Sequence, residues 1–142
     1  MRKVLALFVI TILFISLPAC MTTKRGSVVS GAETSIGESA KFTDDEIQAA
    51  IDAALVKFKD FIGCTMIRTW YDEERSNDLI SQGWLQKQGA DDGDIMILFS
   101  DFMTSSISAN DGFNPNEKYT DWMWIVIRYT DGGEWVVRDW GY

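Results

Sequence analysis

The chain has no histidine, and only two cysteines and two prolines among its 142 residues. Without histidine it lacks the commonest general base and the commonest metal ligand. Ser100, Ser105 and Ser106 therefore have no histidine to activate them, and no Ser-x-x-Lys element replaces it. Two cysteines make no disulfide framework. Positive charge is scarce, with 13 Lys and Arg against 21 Asp and Glu and a net charge of −8. An acidic chain is repelled by nucleic acid and by anionic head groups, so no nucleic-acid partner is expected. The longest apolar run, Val4 to Leu17, falls short of the roughly 20 residues a bilayer-spanning helix needs. Gly132-Gly133 sits in no phosphate-loop pattern. The acidic clusters Asp72-Glu73-Glu74 and Asp91-Asp92-x-Asp94 lack the length and glycine pattern of a calcium loop. No cofactor or metal is expected.

What the chain does have begins at its start. Arg2 and Lys3 precede the apolar run, which ends in Leu17-Pro18-Ala19-Cys20. A basic start, a short apolar segment and small residues at a cut site form a secretory signal peptide. The cysteine just after the cut resembles the lipobox of bacterial lipoproteins, although Pro18 departs from the usual residue there. The resemblance implies removal of residues 1–19 and acylation of Cys20, with palmitate-type chains serving as the membrane anchor. Export to the outer face of a bacterial cytoplasmic membrane follows. The mature chain would have 123 residues (142 less the first 19), one domain by length. Loss of Arg2 and Lys3 takes its charge from −8 to −10, so attachment must come from acyl chains. One chain holds weakly at about 0.8 kcal/mol per methylene, and several hold stably. Cys64 is then the lone thiol, expected as a small buried hydrophobe.

Residues 20–41 are rich in Ser, Thr, Gly and Ala and read as a lipidated flexible tether, holding a single domain of residues 42–142 roughly 25 Å from the lipid. Thr43-Asp44-Asp45-Glu46 has capping-box spacing, with Phe42 and Ile47 at the staple positions. Ile47, Ala50, Ile51, Ala54, Leu55, Phe58 and Ile62 follow at helical spacing, and Gly63 supplies a stop. Strands are expected at Cys64 to Tyr71, Asp94 to Thr104, Tyr119 to Thr130 and Glu134 to Trp140, with a short helix or loop inserted after the first. The fold expected is α+β, one long N-terminal helix on a four-stranded, mainly antiparallel sheet. A three-residue loop at Asp131 to Gly133 would pair Tyr129 with Trp135, Ile127 with Val137 and Trp124 with Trp140. Met123, Ile125 and Ile127 would then face the helix, and Trp124, Arg128, Arg138 and Trp140 the open side.

This order is similar to the cystatin-like and nuclear-transport-factor-like superfolds. Ile62-Gly63-Cys64-Thr65, Ser100-Asp101-Phe102, the aromatic run Tyr119 to Arg128 and the closing Trp135 to Tyr142 resemble a family of small bacterial lipoproteins from anaerobic Firmicutes, of uncharacterised function. The resemblance implies location and fold and carries no catalytic residues. The role expected is a non-enzymatic ligand-binding or interaction module at the cell envelope. Its candidate contact face is Trp124, Arg128, Arg138 and Trp140, extended by Arg68 and Trp70. Such a face suits an envelope protein, a peptide, a glycan or a second copy of the chain. Two rivals remain open: a small pocket enzyme using a carboxylate such as Asp101, and an inhibitor or immunity-type protein presenting the loop Ser105 to Glu117. Asp101 has a plain alternative, an ion pair with Arg68 or Arg128.

Overall fold

The structure, a computed structural model, describes residues 25–83 and 94–142. Cys20, the apolar start of the chain, Asp91 and Asp92 lie outside the described residues.

The capping box forms as its spacing predicts. Thr43 Oγ1 accepts from the Glu46 N–H at 3.3 Å, and Glu46 Oε2 accepts from the Thr43 N–H at 2.8 Å. Helix α1 runs Asp44–Phe58, with Asp44, Asp45 and Glu46 at the positive end of its dipole. Ile47, Ala50, Ile51, Ala54 and Phe58 make its buried stripe. The helix ends earlier than the apolar spacing suggests. Lys59, Asp60 and Phe61 each donate their N–H to the carbonyl three residues back, and these tight turns carry Phe61 into the core. Gly63 follows at φ +73°, where a Cβ would stand 2.5 Å from Ile107 Cγ1.

Strand β1, Ser27–Ser35, precedes α1. After the helix come β2 at Thr65–Tyr71, α2 at Glu73–Ser81, β3 at Asp94–Met103, a 3-10 helix at Ser106–Asp111, β4 at Lys118–Arg128 and β5 at Val136–Gly141. They form one five-stranded sheet in the order β1-β2-β3-β4-β5, with β1 parallel to β2 and the other neighbours antiparallel. The chain is α+β, with two helices on a mixed sheet of five strands instead of one helix on four.

Two features depart from expectation for physical reasons. Strand β1 lies inside the stretch read as a tether. Its polar side chains hide it: Glu33, Thr34 and Ser35 are all exposed, so no apolar alternation marks the strand, while their backbone pairs with Arg68, Thr69 and Trp70. The chain is already fixed at Gly26, whose N–H donates to the Lys59 carbonyl at 3.0 Å.

The sheet faces are also exchanged. Helix α1 packs on Trp124, Val126, Phe102, Leu98 and Met66, the set that includes the residue expected to face solvent. Ile97, Phe99 and Ile125, with Met123 beside them, form a second cluster with Leu79 and Ile80 of α2. Both faces are apolar because each has its own helix, so alternation alone does not say which helix covers which. The hairpin register is correct at Trp124 opposite Trp140 and one residue off nearer the turn, where Ile127 pairs with Val136. The shift falls between Val137 and Asp139, making Arg138 the extra residue of a bulge. Beyond it Trp135 packs edge-on against Phe42 at 5.6 Å.

Candidate functional site

Asp101 is the only acidic side chain among the described residues to sit fully inside the sheet, at 1% exposure. It lies between two irregularities, one in the β2–β3 pairing and one in the β3–β4 pairing. The second loops out part of β4 and puts Asp121 at φ +57°, a left-handed conformation that Asp tolerates better than most residues. That conformation aims the Asp121 N–H at Asp101 Oδ1, 3.1 Å away. Asp101 Oδ2 accepts from Arg68 Nε at 2.9 Å, and Lys118 Nζ stands 3.4 Å from it. Burial works against the Asp101 charge, but the Asp121 N–H, Arg68 and Lys118 together hold its carboxyl below the usual carboxylate range. It stays ionised and accepting, which is the opposite of a general acid.

Two arginines of this region, Arg68 on Asp101 and Arg75 on Asp121, lie over aromatic rings. The Arg68 guanidinium is 4.3 Å from the Trp70 ring centre, and that of Arg75 is 4.0 Å from Phe99. Trp70 and Phe99 themselves stand 5.9 Å apart. Arg75 is held in turn by Asp121 Oδ1 at 2.5 Å. Two guanidiniums are thus fixed by carboxylates and spread over two rings, while Arg68 keeps 47% of its side chain in solvent. A shallow recess beside them is lined by Glu33, Ser35, Arg68, Thr69 and Trp70. Such an arrangement can grip a carboxylate and offer a ring face to a flat or apolar neighbour.

The four residues expected as a contact face do not form one. Trp124 is fully buried and donates Nε1–H to Ser100 Oγ at 2.9 Å. Arg128 is 5% exposed; it reaches Glu46 Oε1 and Asp94 Oδ2 at 2.7 Å each, with its guanidinium 4.8 Å from the Trp135 ring centre. The Thr43 N–H and Arg128 hold the Glu46 carboxyl down at about 2. Arg138 and Trp140 alone reach the surface. The Trp124 face, expected to be open to a second copy of the chain, lies under α1, and the centre of the opposite face lies under α2. Arg68 and Trp70, expected as an extension of the Trp124 face, do not join it: Trp70 packs with Phe99 in the cluster on the opposite side of the sheet from Trp124, and Asp101 pairs with Arg68 as one sequence reading allows.

The other candidates have structural work. Cys64 is buried, its thiol 3.6 Å from Ser108 Oγ, and burial pushes the thiol up. Asp72 caps α2 by accepting from the Arg75 N–H at 3.0 Å. Glu73 gathers Ser39 Oγ and the N–H groups of Ala40 and Lys41, which ties the segment before α1 to α2. The loop Ser105 to Glu117 is fastened to the body. Thr104 Oγ1 accepts from the Glu117 N–H at 2.8 Å, Asp111 Oδ2 accepts from the Ile62 N–H at 2.9 Å, and Phe113 packs on Phe61. Among the described residues no group of three or more potential metal ligands comes together, and no helix is long and apolar enough to cross a membrane. Comparison of the chain with family models, with curated proteins and with solved structures found no match.

Proposed function

We propose that the chain is an exported lipoprotein, acylated at Cys20, whose folded domain is a non-enzymatic binding module at the outer face of a bacterial cytoplasmic membrane. The signal-like start and its Leu17-Pro18-Ala19-Cys20 end support the anchor. The binding surface is Arg68, Trp70, Arg75 and Lys118, and its ligand is a carboxylate-bearing peptide or glycan of the envelope. One observation carries this reading: the buried, ionised Asp101 holds Arg68 over Trp70 with about half of the arginine still in water. A guanidinium fixed in advance loses less freedom on gripping a carboxylate.

The pocket-enzyme reading needs an acid that holds its proton near neutral pH, and Asp101 is shifted the other way. Position along the sheet suits a contact surface as well. Ser27, where the chain enters, pairs with Thr65, and Trp70 stands five residues further along β2, about 17 Å at the usual rise.

The test is binding of the mature chain, residues 20–142 with Cys20→Ser, to an array of acidic peptides and carboxylated glycans. Retention of carboxylated members should fall about tenfold or more in Arg68→Gln and in Trp70→Ala, the loss of one charge-assisted or cation–π contact. Equal binding by both variants, once their folding is checked by circular dichroism, would remove the surface from the account.

A further inference from the structure

The point where the chain enters the domain is itself a distinctive surface. Gly26 is buried and hydrogen-bonded to the end of α1, so the body is held there and not at Phe42. From Cys20 to Gly26 there are six residue steps, which span about 20 Å at most when fully extended. A body tied that closely to a lipidated residue keeps its Gly26 end near the bilayer.

That end differs from the rest of the acidic domain. Arg25, Lys57 and Lys59 line one shallow trough with Val56, Trp135 and Val136. Val56 is 63% exposed and Val136 51% exposed, and Trp140 stands next to them with Lys57 Nζ 4.6 Å from its ring centre. One carboxylate, Asp60, lies among the three cations, 3.0 Å from Lys57. Exposed aliphatic side chains, a tryptophan and long cationic stems are the residue types that settle at a membrane–water boundary. The overall negative charge does not forbid this. Interactions between exposed charges fade beyond a Debye length of about 8–10 Å, so a surface layer of lipid responds chiefly to the cations nearest it.

We infer that this trough docks on an anionic lipid surface, the leaflet that holds the anchor, and so orients the domain with Arg68 and Trp70 away from the membrane. The inference rests on acylation at Cys20. The anchor supplies attachment; Arg25, Lys57 and Lys59 supply orientation, each adding roughly fivefold to the ratio of docked to undocked protein at physiological salt.

The experiment places an environment-sensitive fluorophore at Val56→Cys, where the only other unacylated thiol is the buried Cys64. The native acylated protein is reconstituted in phosphatidylcholine vesicles with and without phosphatidylglycerol, and a second label at Asn77→Cys, exposed on α2, serves as the distant site. The Val56 label should blue-shift on anionic vesicles and the Asn77 label should not. Lys57→Glu with Lys59→Glu should lower the docked ratio about 25-fold or more and abolish the shift, as should raised salt. A parallel preparation carries a histidine tag in place of Cys20 and is held by nickel-chelating lipid. Equal responses at Val56 and Asn77 in both preparations, or a Val56 signal indifferent to charge reversal, would overturn the docking surface. A shift on nickel lipid from a chain whose native form carries no acyl group would support the docking surface and sink the anchor alone.

Discussion

Replacing Arg128 by methionine keeps an unbranched apolar stem and removes the guanidinium with its charge. In the folded domain that group bridges three elements: Glu46 in the first turn of α1, Asp94 at the start of β3, and its own strand β4. Removing one partner of a buried ion pair typically costs about 3–5 kcal/mol, because the remaining charge is left without compensation. Here the two carboxylates keep 28% and 35% of their side chains in solvent, so water recovers part of that loss. The lost stacking over Trp135 adds up to about 1 kcal/mol. The expected destabilisation is about 2–4 kcal/mol, read as a lower urea midpoint at unchanged slope. At about 4 °C per kcal/mol or more for a domain of this size, the thermal midpoint should fall by roughly 10 °C or more. A cycle with Asp94→Asn should show coupling of about 1 kcal/mol, discounted for the solvent that reaches Asp94. Destabilisation below about 1 kcal/mol, with no coupling, would mean that the bridge does not hold α1 to the sheet and would refute the reasoning.

Other consequences are open to direct measurement. Trp124→Ala should behave as a core lesion, costing about 3–5 kcal/mol, and should leave array binding unchanged at temperatures where the variant is folded; selective loss of binding would restore Trp124 as a contact residue. Gly63→Ala places a side chain at φ +73° against Ile107 and should cost about 2 kcal/mol or more in a denaturant titration, whereas a neutral result would contradict the close approach. Glu46, Glu73 and Asp101 all hold their protons less tightly folded than unfolded. Their contribution is therefore complete above the ordinary carboxylate range and declines as pH falls toward about 2, the Glu46 value. Thermal midpoints should drop across that interval, and a flat profile would contradict the paired carboxylates. The Cys64 thiol should react with a maleimide on the order of 100-fold more slowly in the folded protein than in urea, because labelling awaits local opening.

The legible parts of this fold are those whose signals are local. Thr43, Glu46, Phe42 and Ile47 specify the start of α1 within six residues, and the structure shows both reciprocal hydrogen bonds. The apolar centre of β3 is equally plain, since a strand covered by helices on both faces needs no alternation. Strand β1 is hidden because it is held by backbone pairing to β2 and leaves polar side chains outside. The exchange of faces arises because Trp124 and Ile125 are both apolar, and their order in the sequence does not name the covering helix. One usable signal is present: Arg128 aligns with Trp124 and Val126, and a buried arginine needs carboxylates such as the one Glu46 brings from α1. At the candidate site, Asp101, Arg68 and Trp70 stand out as residue types. The left-handed turn at Asp121 that completes the acceptor's environment depends on the β3–β4 bulge, a long-range feature.

The central claim is a lipid anchor on Cys20 at the end of a short leash. Intact-mass and peptide mass spectrometry of the protein purified from membranes of its native host tests it most directly. The account predicts an amino terminus at Cys20 carrying a diacylglyceryl group. An unmodified terminus at Met1, or a cut chain with a free Cys20 thiol, would contradict it.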